Sequence, residues 1–197
     1  MISDIAAGSA RERLLAAADK LFYEEGVNTV GIDRVIEAAG VAKATLYSSF
    51  GSKEGLIVAY LRARLERRQQ RTMRYLAEAR TPRERILAPF DVLDSFIREP
   101  GFNGCAFMNA NAEAQPGSAV QQAAHESRMW TLSLFTELAR DVGAHDPEAL
   151  AHQLVLLYDG ALVSSRMDDD LDAALTAKAT AATLVGAATR RRRHPAR

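Results

Sequence analysis

The chain has little to spend on covalent or metal chemistry. Its 197 residues hold one cysteine, Cys105, so an internal disulfide is excluded and a reducing compartment fits. The motifs CxxC and HExxH and a phosphate-cradling glycine loop are missing. The four histidines, His125, His145, His152 and His194, do not fall at a metal-ligand spacing, so neither a metal nor a cofactor is expected. No run approaches the roughly 18 apolar residues of a membrane span. The opening MISDIAAGSARERLL carries an acid at Asp4 and no basic segment ahead of a hydrophobic one. These absences predict a soluble, unexported, cytoplasmic protein. Net charge is also lacking, with 25 basic against 25 acidic residues, but the balance is uneven along the chain. Residues 1–80 hold 13 basic and 10 acidic side chains, residues 81–189 hold 7 and 15, and the segment from 190 holds 5 and none. A mildly basic head and a basic tail flank an acidic body, and the ends are where a polyanion would be met.

Strand signals are scarce, with no alternating Val, Ile or Thr runs. What is present is helix punctuation. Ser9 with Glu12 reads as a capping box ahead of an apolar stripe of Leu14, Ala17, Ala18, Leu21 and Phe22, which Gly26 ends. Thr81-Pro82 with Glu84 is a second start and Asp146-Pro147 a third, each placing proline where no hydrogen-bonded N–H is needed. Pro100-Gly101, Pro116-Gly117 and Gly143 are stops, and Pro89 falls inside a helix that it should kink. The punctuation predicts an all-α fold of about nine helices: 9–25, 32–39, 43–50, 53–79, 82–98, 104–114, 118–142, 147–166 and 171–189. The expected domains are a helix-turn-helix head at 1–52, a helical body at 53–189 and a basic disordered tail at 190–197.

Helices two and three, IDRVIEAA and KATLYSSF, are joined by a tight turn at Gly40-Val41-Ala42, the layout of a helix-turn-helix. An eight-residue helix is marginal on its own. Leu46 and Phe50, at i and i+4, are expected to pack inward with Val41 and hold it, leaving Ala44, Thr45 and Ser48 on other faces with Lys43 and Tyr47 at the flanks.

At this point the sequence resembles the TetR family of bacterial transcriptional regulators. The matching residues are Phe22 and Gly26, Ala39-Gly40-Val41, Thr45-Leu46-Tyr47 with Phe50, and Ser52-Lys53-Glu54 with Leu56, in order over about 45 residues. The resemblance implies a double-stranded DNA operator as partner. It places Lys43, Ala44, Thr45, Tyr47, Ser48 and Ser49 on the recognition helix facing DNA, and Lys53 against a phosphate. Lys43 suits guanine or phosphate, the Thr45 and Tyr47 hydroxyls suit phosphate oxygens, and Ala44 suits a thymine methyl. Four departures from the family pattern stand out: Ser49, Ala42 and Gly31 replace a frequent backbone contact and two frequent caps, and Asp33 puts an acid where it would repel phosphate.

A two-fold operator needs a homodimer, and the last two helices are the expected interface: Leu150, Leu154, Leu157 and Ala161, then Leu175, Ala179 and Ala182. The resemblance also implies a small-molecule inducer site in the body. In FNGCAFMNANAEAQPG, Cys105, Asn109 and Glu113 recur every four residues, so one helix face would display thiol, amide and carboxylate. Phe96, Phe102, Phe107, Trp130 and Tyr158 are candidate walls. The function expected is a repressor released by an inducer. A thiol enzyme pairing Cys105 with His125 has no support in spacing, and a purely structural dimer leaves Lys43, Tyr47 and Lys53 unexplained.

Overall fold

The computed structural model describes residues 8–190, so the expected tail, Arg190 apart, and His194 lie outside the described residues. Within that range the chain forms nine α-helices and no strand: α1 Ala10–Glu25, α2 Ile32–Ala39, α3 Lys43–Phe50, α4 Lys53–Glu78, α5 Pro82–Ile97, α6 Ala106–Glu113, α7 Ala119–Asp141, α8 Pro147–Met167 and α9 Ala173–Ala188. The starts read from sequence are made by the residues that marked them. The Ser9 hydroxyl accepts from the Glu12 N–H, and the Glu12 carboxylate accepts from the Ser9 N–H at 2.7 Å. Those bonds hold the Glu12 carboxyl below its ordinary pKa. Thr81 and Glu84 form the same reciprocal pair at α5, and Asp146 caps α8 through the Ala149 N–H. Helix α5 continues through Pro89, which is buried within it.

The helices gather into two compact units. The described part of the first is residues 8–68 with 105–127, and the second is residues 69–104 with 128–190. This partition differs from a break at residue 52: α4 and α7 each contribute to both units, and α6 belongs with the head. The reason is where apolar side chains go. Ala106, Phe107 and Ala110 of α6 and Val120, Ala123 and Ala124 of α7 join Leu14, Phe22, Val35, Leu46, Leu56 and Tyr60 in one buried cluster. Phe22 and Tyr60 meet edge to face, with ring centroids 5.8 Å apart. Asp19 on α1 accepts from Arg64 Nε and Arg67 Nη2 of α4, both at 2.7 Å, and the Arg64 guanidinium lies 3.7 Å from the Tyr23 ring centroid.

The second unit is built on α5, α8 and α9, with Phe90, Phe135 and Tyr158 as a three-ring cluster whose centroids are 5.7 to 6.2 Å apart. Lys178 of α9 bonds both carboxylate oxygens of Asp91 on α5, at 2.5 and 2.7 Å.

One glycine fixes how α4 leaves α3. A Cβ on Gly55 would stand 2.0 Å from the Phe50 carbonyl oxygen, a backbone atom that a rotamer change cannot move. Gly55→Ala should therefore cost about 2 kcal/mol or more in denaturant unfolding, the scale of core overpacking. Unchanged stability would contradict this close approach.

Candidate nucleic-acid interface

Helices α2 and α3 are set by a left-handed glycine. Gly40 ends α2 at φ 60° and ψ 45°, its N–H returning to the Glu37 and Ile36 carbonyls, and the Val41 N–H also reaches Ile36 O at 3.3 Å. The chain then re-enters a helix within three residues. On α3, Leu46 is fully buried, and Val41 and Phe50 pack half-buried against the same cluster, as the i,i+4 spacing predicts. Burying one leucine contributes roughly 1.5–3 kcal/mol, enough to offset the weak intrinsic stability of two turns. The Arg11 guanidinium covers the Phe50 ring at 5.0 Å.

The remainder of α3 faces outward. Lys43, Ala44, Tyr47 and Ser48 are exposed, Tyr47 at 44%, while Thr45 and Ser49 are half-buried. Ser48 is turned back on its own helix, its hydroxyl donating to the Thr45 carbonyl at 3.1 Å. Lys43 Nζ donates to Asp33 Oδ1 of α2 at 2.9 Å, which raises the lysine pKa above its ordinary value. Gly31 and Ala42, the N-caps of α2 and α3, supply no side-chain hydrogen bond. Neither helix start has a side-chain cap, although the Ala42 carbonyl takes the Thr45 N–H at 2.9 Å, and these ends carry Asp33 and Lys43. Lys53, the first residue of α4, is half-buried with Nζ 3.4 Å from the Asn28 carbonyl. A face with ammonium groups, hydroxyls and open helix N-termini is equipped to meet phosphate oxygens and base edges.

The family model for bacterial regulatory proteins of the tetR family matches residues 14–60, spanning α1 into α4. The crystal structure of a TetR-family transcriptional regulator from Streptomyces coelicolor superposes with a TM-score of 0.86 at 35% identity, covering 92% of this chain and 96% of that one. This chain belongs to the TetR family. It is similar also to the transcriptional repressor NemR of Escherichia coli, 31% identical over 105 residues, 52% of this chain and 53% of the relative. With the transcriptional activator FasR of Mycolicibacterium smegmatis it shares 28% over 149 residues, 75% of this chain and 68% of that one. The chain spans about half the length of several curated relatives it matches. The relatives it matches are transcriptional regulators. Among the described residues no helix is long and apolar enough to cross a membrane.

The residues expected to form one inducer pocket are divided by the fold. Cys105, Phe107, Asn109 and Glu113 belong to the first unit, and Phe96, Phe102, Trp130 and Tyr158 to the second. Phe107 is buried in the head cluster under the Arg68 guanidinium, 5.1 Å from its ring. Tyr158 is buried in the three-ring cluster. Phe96, half-buried, lies 4.1 Å below the Arg71 guanidinium, and Phe102 and Trp130 are half-buried. Cys105 is the N-cap of α6 and Asn109 is exposed.

Glu113 is engaged within the first unit. Its Oε2 accepts from the Asn28 N–H at 2.7 Å, and its carbonyl accepts from Asn28 Nδ2 at 3.0 Å, bracing the α1–α2 loop against the end of α6. Gly26, at φ 92°, makes room for it, since a Cβ there would be 2.7 Å from Glu113 Oε1. Glu54 performs the matching function at α7, accepting from the Ala119 N–H at 3.0 Å. The sequence holds no local signal for either brace, because the partners are 85 and 65 residues apart.

The intended dimer stripe is also redistributed. Leu150, Leu154 and Ala161 are buried inside the second unit, with 2%, 0% and 5% exposure, and Leu157 is half-buried, so the first three have no surface to give a second copy. The cause is that α9 and α5 already cover that face. The outward face of α8 instead carries Leu156, Gly160, Val163 and Met167, with Leu156 at 69% and Met167 at 77%. On α9, Leu175 and Ala179 are exposed and Ala182 is half-buried.

Removing the brace at Glu113 should free the loop it holds. In Glu113→Ala the Asn28 amide is expected to exchange with solvent about tenfold faster, for a lost charge-assisted bond of about 1.5 kcal/mol. Unaltered exchange at Asn28 would show that the carboxylate contributes nothing there.

Proposed function

We propose that this TetR-family regulator is a homodimeric repressor that binds a two-fold DNA operator through α3 and leaves it when a small molecule binds. The observation that carries the reading is the division of α3 into a buried Leu46 seat and an exposed face of Lys43, Ala44, Tyr47 and Ser48. Thr45, Ser49 and Lys53 complete the contacting set, chiefly through phosphate oxygens. The starts of α2 and α3, which lack side-chain caps, add first-turn backbone N–H donors. Genomic DNA as partner makes the cytoplasm its working compartment. The repressor sense follows the name of NemR, and FasR carries the opposite sense.

The dimer forms through the outward faces of α8 and α9. Leu156, Gly160, Val163 and Met167 recur at spacings of 4, 3 and 4, which keeps them on one stripe, and Leu175, Ala179 and Ala182 do the same on α9. Gly160 and the alanines allow helices to approach closely. An apolar, uncharged stripe of this kind becomes the core of a four-helix interface when two copies meet.

The inducer binds in the second unit, where Phe96, Phe102 and Trp130 retain partly exposed aromatic surface. Binding relieves repression to the extent that the ligand favours a dimer whose heads are out of register with successive grooves. Helix α4 is the natural carrier of such a change, because its residues contribute to both units and Lys53 at its start holds the α1–α2 loop.

Fluorescence anisotropy on the DNA flanking the gene tests this reading at two salt concentrations. The wild type should bind specifically and lose affinity with a log-log salt slope near −0.9 per phosphate contacted. Lys43→Ala with Tyr47→Ala should lose at least about 100-fold in affinity while remaining a dimer by light scattering. Leu156→Glu should yield a folded monomer that no longer binds. A double variant that binds as tightly as wild type, or a wild type that is monomeric, would contradict the reading.

A further inference from the structure

The Asp33–Lys43 pair puts an acid beside the start of α3, a feature that phosphate binding does not explain. Asp33 is 81% exposed on its side chain and stands in the first turn of α2, beside the start of the recognition helix. A carboxylate on a face turned toward a polyanion opposes binding. In the free protein its charge is offset by Lys43 and by the N-terminal end of α2, and against DNA it is best accommodated where it accepts hydrogen bonds from the duplex. In the major groove the available donors are the amino groups of cytosine and adenine. The neighbouring ammonium is itself a donor with three hydrogens, of which Asp33 engages one.

We infer that Asp33 and Lys43 act together as a specificity-determining pair that reads one G·C base pair in each operator half-site. Lys43 donates to guanine O6 and N7 while Asp33 Oδ accepts from cytosine N4. The match is geometric. Within a G·C pair O6 and N4 are joined by a Watson–Crick hydrogen bond, so on the groove edge an acceptor and a donor stand one hydrogen-bond length apart. The protein presents the complementary order, a donor and an acceptor 2.9 Å apart. Guanine is favoured over thymine as the lysine's partner because it offers two adjacent acceptors, where thymine offers one beside a methyl group. This inference rests on the DNA-binding reading above and adds to it the identity of one base pair.

Selection of binding sites from a random duplex library, run in parallel with wild type, Asp33→Ala and Asp33→Asn, tests it. Because Asp33 is so exposed, both substitutions should leave the fold intact, which circular dichroism verifies. The wild type is expected to enrich a two-fold sequence, and Asp33→Ala to lose preference at a single G·C position per half-site. Its affinity for the wild-type sequence should fall about tenfold, with every other position unchanged. Asp33→Asn, which carries a donor beside its acceptor, should admit adenine at that position. The inference is overturned if Asp33→Ala retains the full wild-type preference, if it binds all sequences more tightly by a common factor, or if the lost position is A·T. A wild type that enriches no two-fold sequence removes the DNA-binding reading itself, and the base assignment with it.

Discussion

The arrangement depends on the burial of Leu46. Helix α3 has eight residues, below the length at which a helix sustains itself in water, and it has neither a side-chain N-cap nor an acidic first turn to help it. Its stability is therefore borrowed from the cluster of Leu14, Phe22, Val35, Leu56 and Tyr60 beneath it. That dependence has a useful corollary. Since packing through one face holds the helix, the other face is released from any stabilising duty, and Lys43, Ala44 and Tyr47 can be chosen for what they contact outside the protein. The Gly40 turn and the close approach at Gly55 fix both ends of the same short segment, so the exposed face is presented at a set angle by the head's own core.

Around that seat lies a shell of long-range polar contacts that hold the loop before α2. Asn28 is the focus: its N–H and amide bond Glu113 at the end of α6, and its carbonyl bonds Lys53 at the start of α4. Glu54, the next residue, fixes the start of α7. Helices α6 and α7 thus enter the head both through apolar side chains and through hydrogen bonds at their ends. In the proposed mechanism these contacts make the head sensitive to whatever moves α6 or α7, in addition to anything transmitted along α4.

Much of this was legible in the sequence, for reasons that also explain what was not. Helix limits could be read almost to the residue because they are local chemistry: Ser9 with Glu12, Thr81 with Glu84, Asp146 before Pro147, and glycine at 26 and 40. The inward turn of Leu46 followed from i,i+4 spacing alone. Which face of a helix meets which neighbour is a tertiary property, and local periodicity leaves it open. On α6 the stripe 105, 109, 113 and the stripe 106, 107, 110 are both periodic, and the second is the apolar one that enters the core. On α8 two apolar stripes coexist, and α5 and α9 cover the one through Leu150 and Leu154, leaving Leu156 and Met167 outside. Glu113 and Asn28, 85 residues apart, had no sequence signal by which to be paired.

The central claim is that two copies of α3 read successive major grooves of one duplex. Hydroxyl-radical footprinting of the intact protein on the DNA beside its gene addresses it most directly. Two protected patches on the same face of the duplex, one helical turn or a multiple of it apart and symmetric about their midpoint, are the predicted result. A single asymmetric patch, or uniform protection without boundaries, would contradict it.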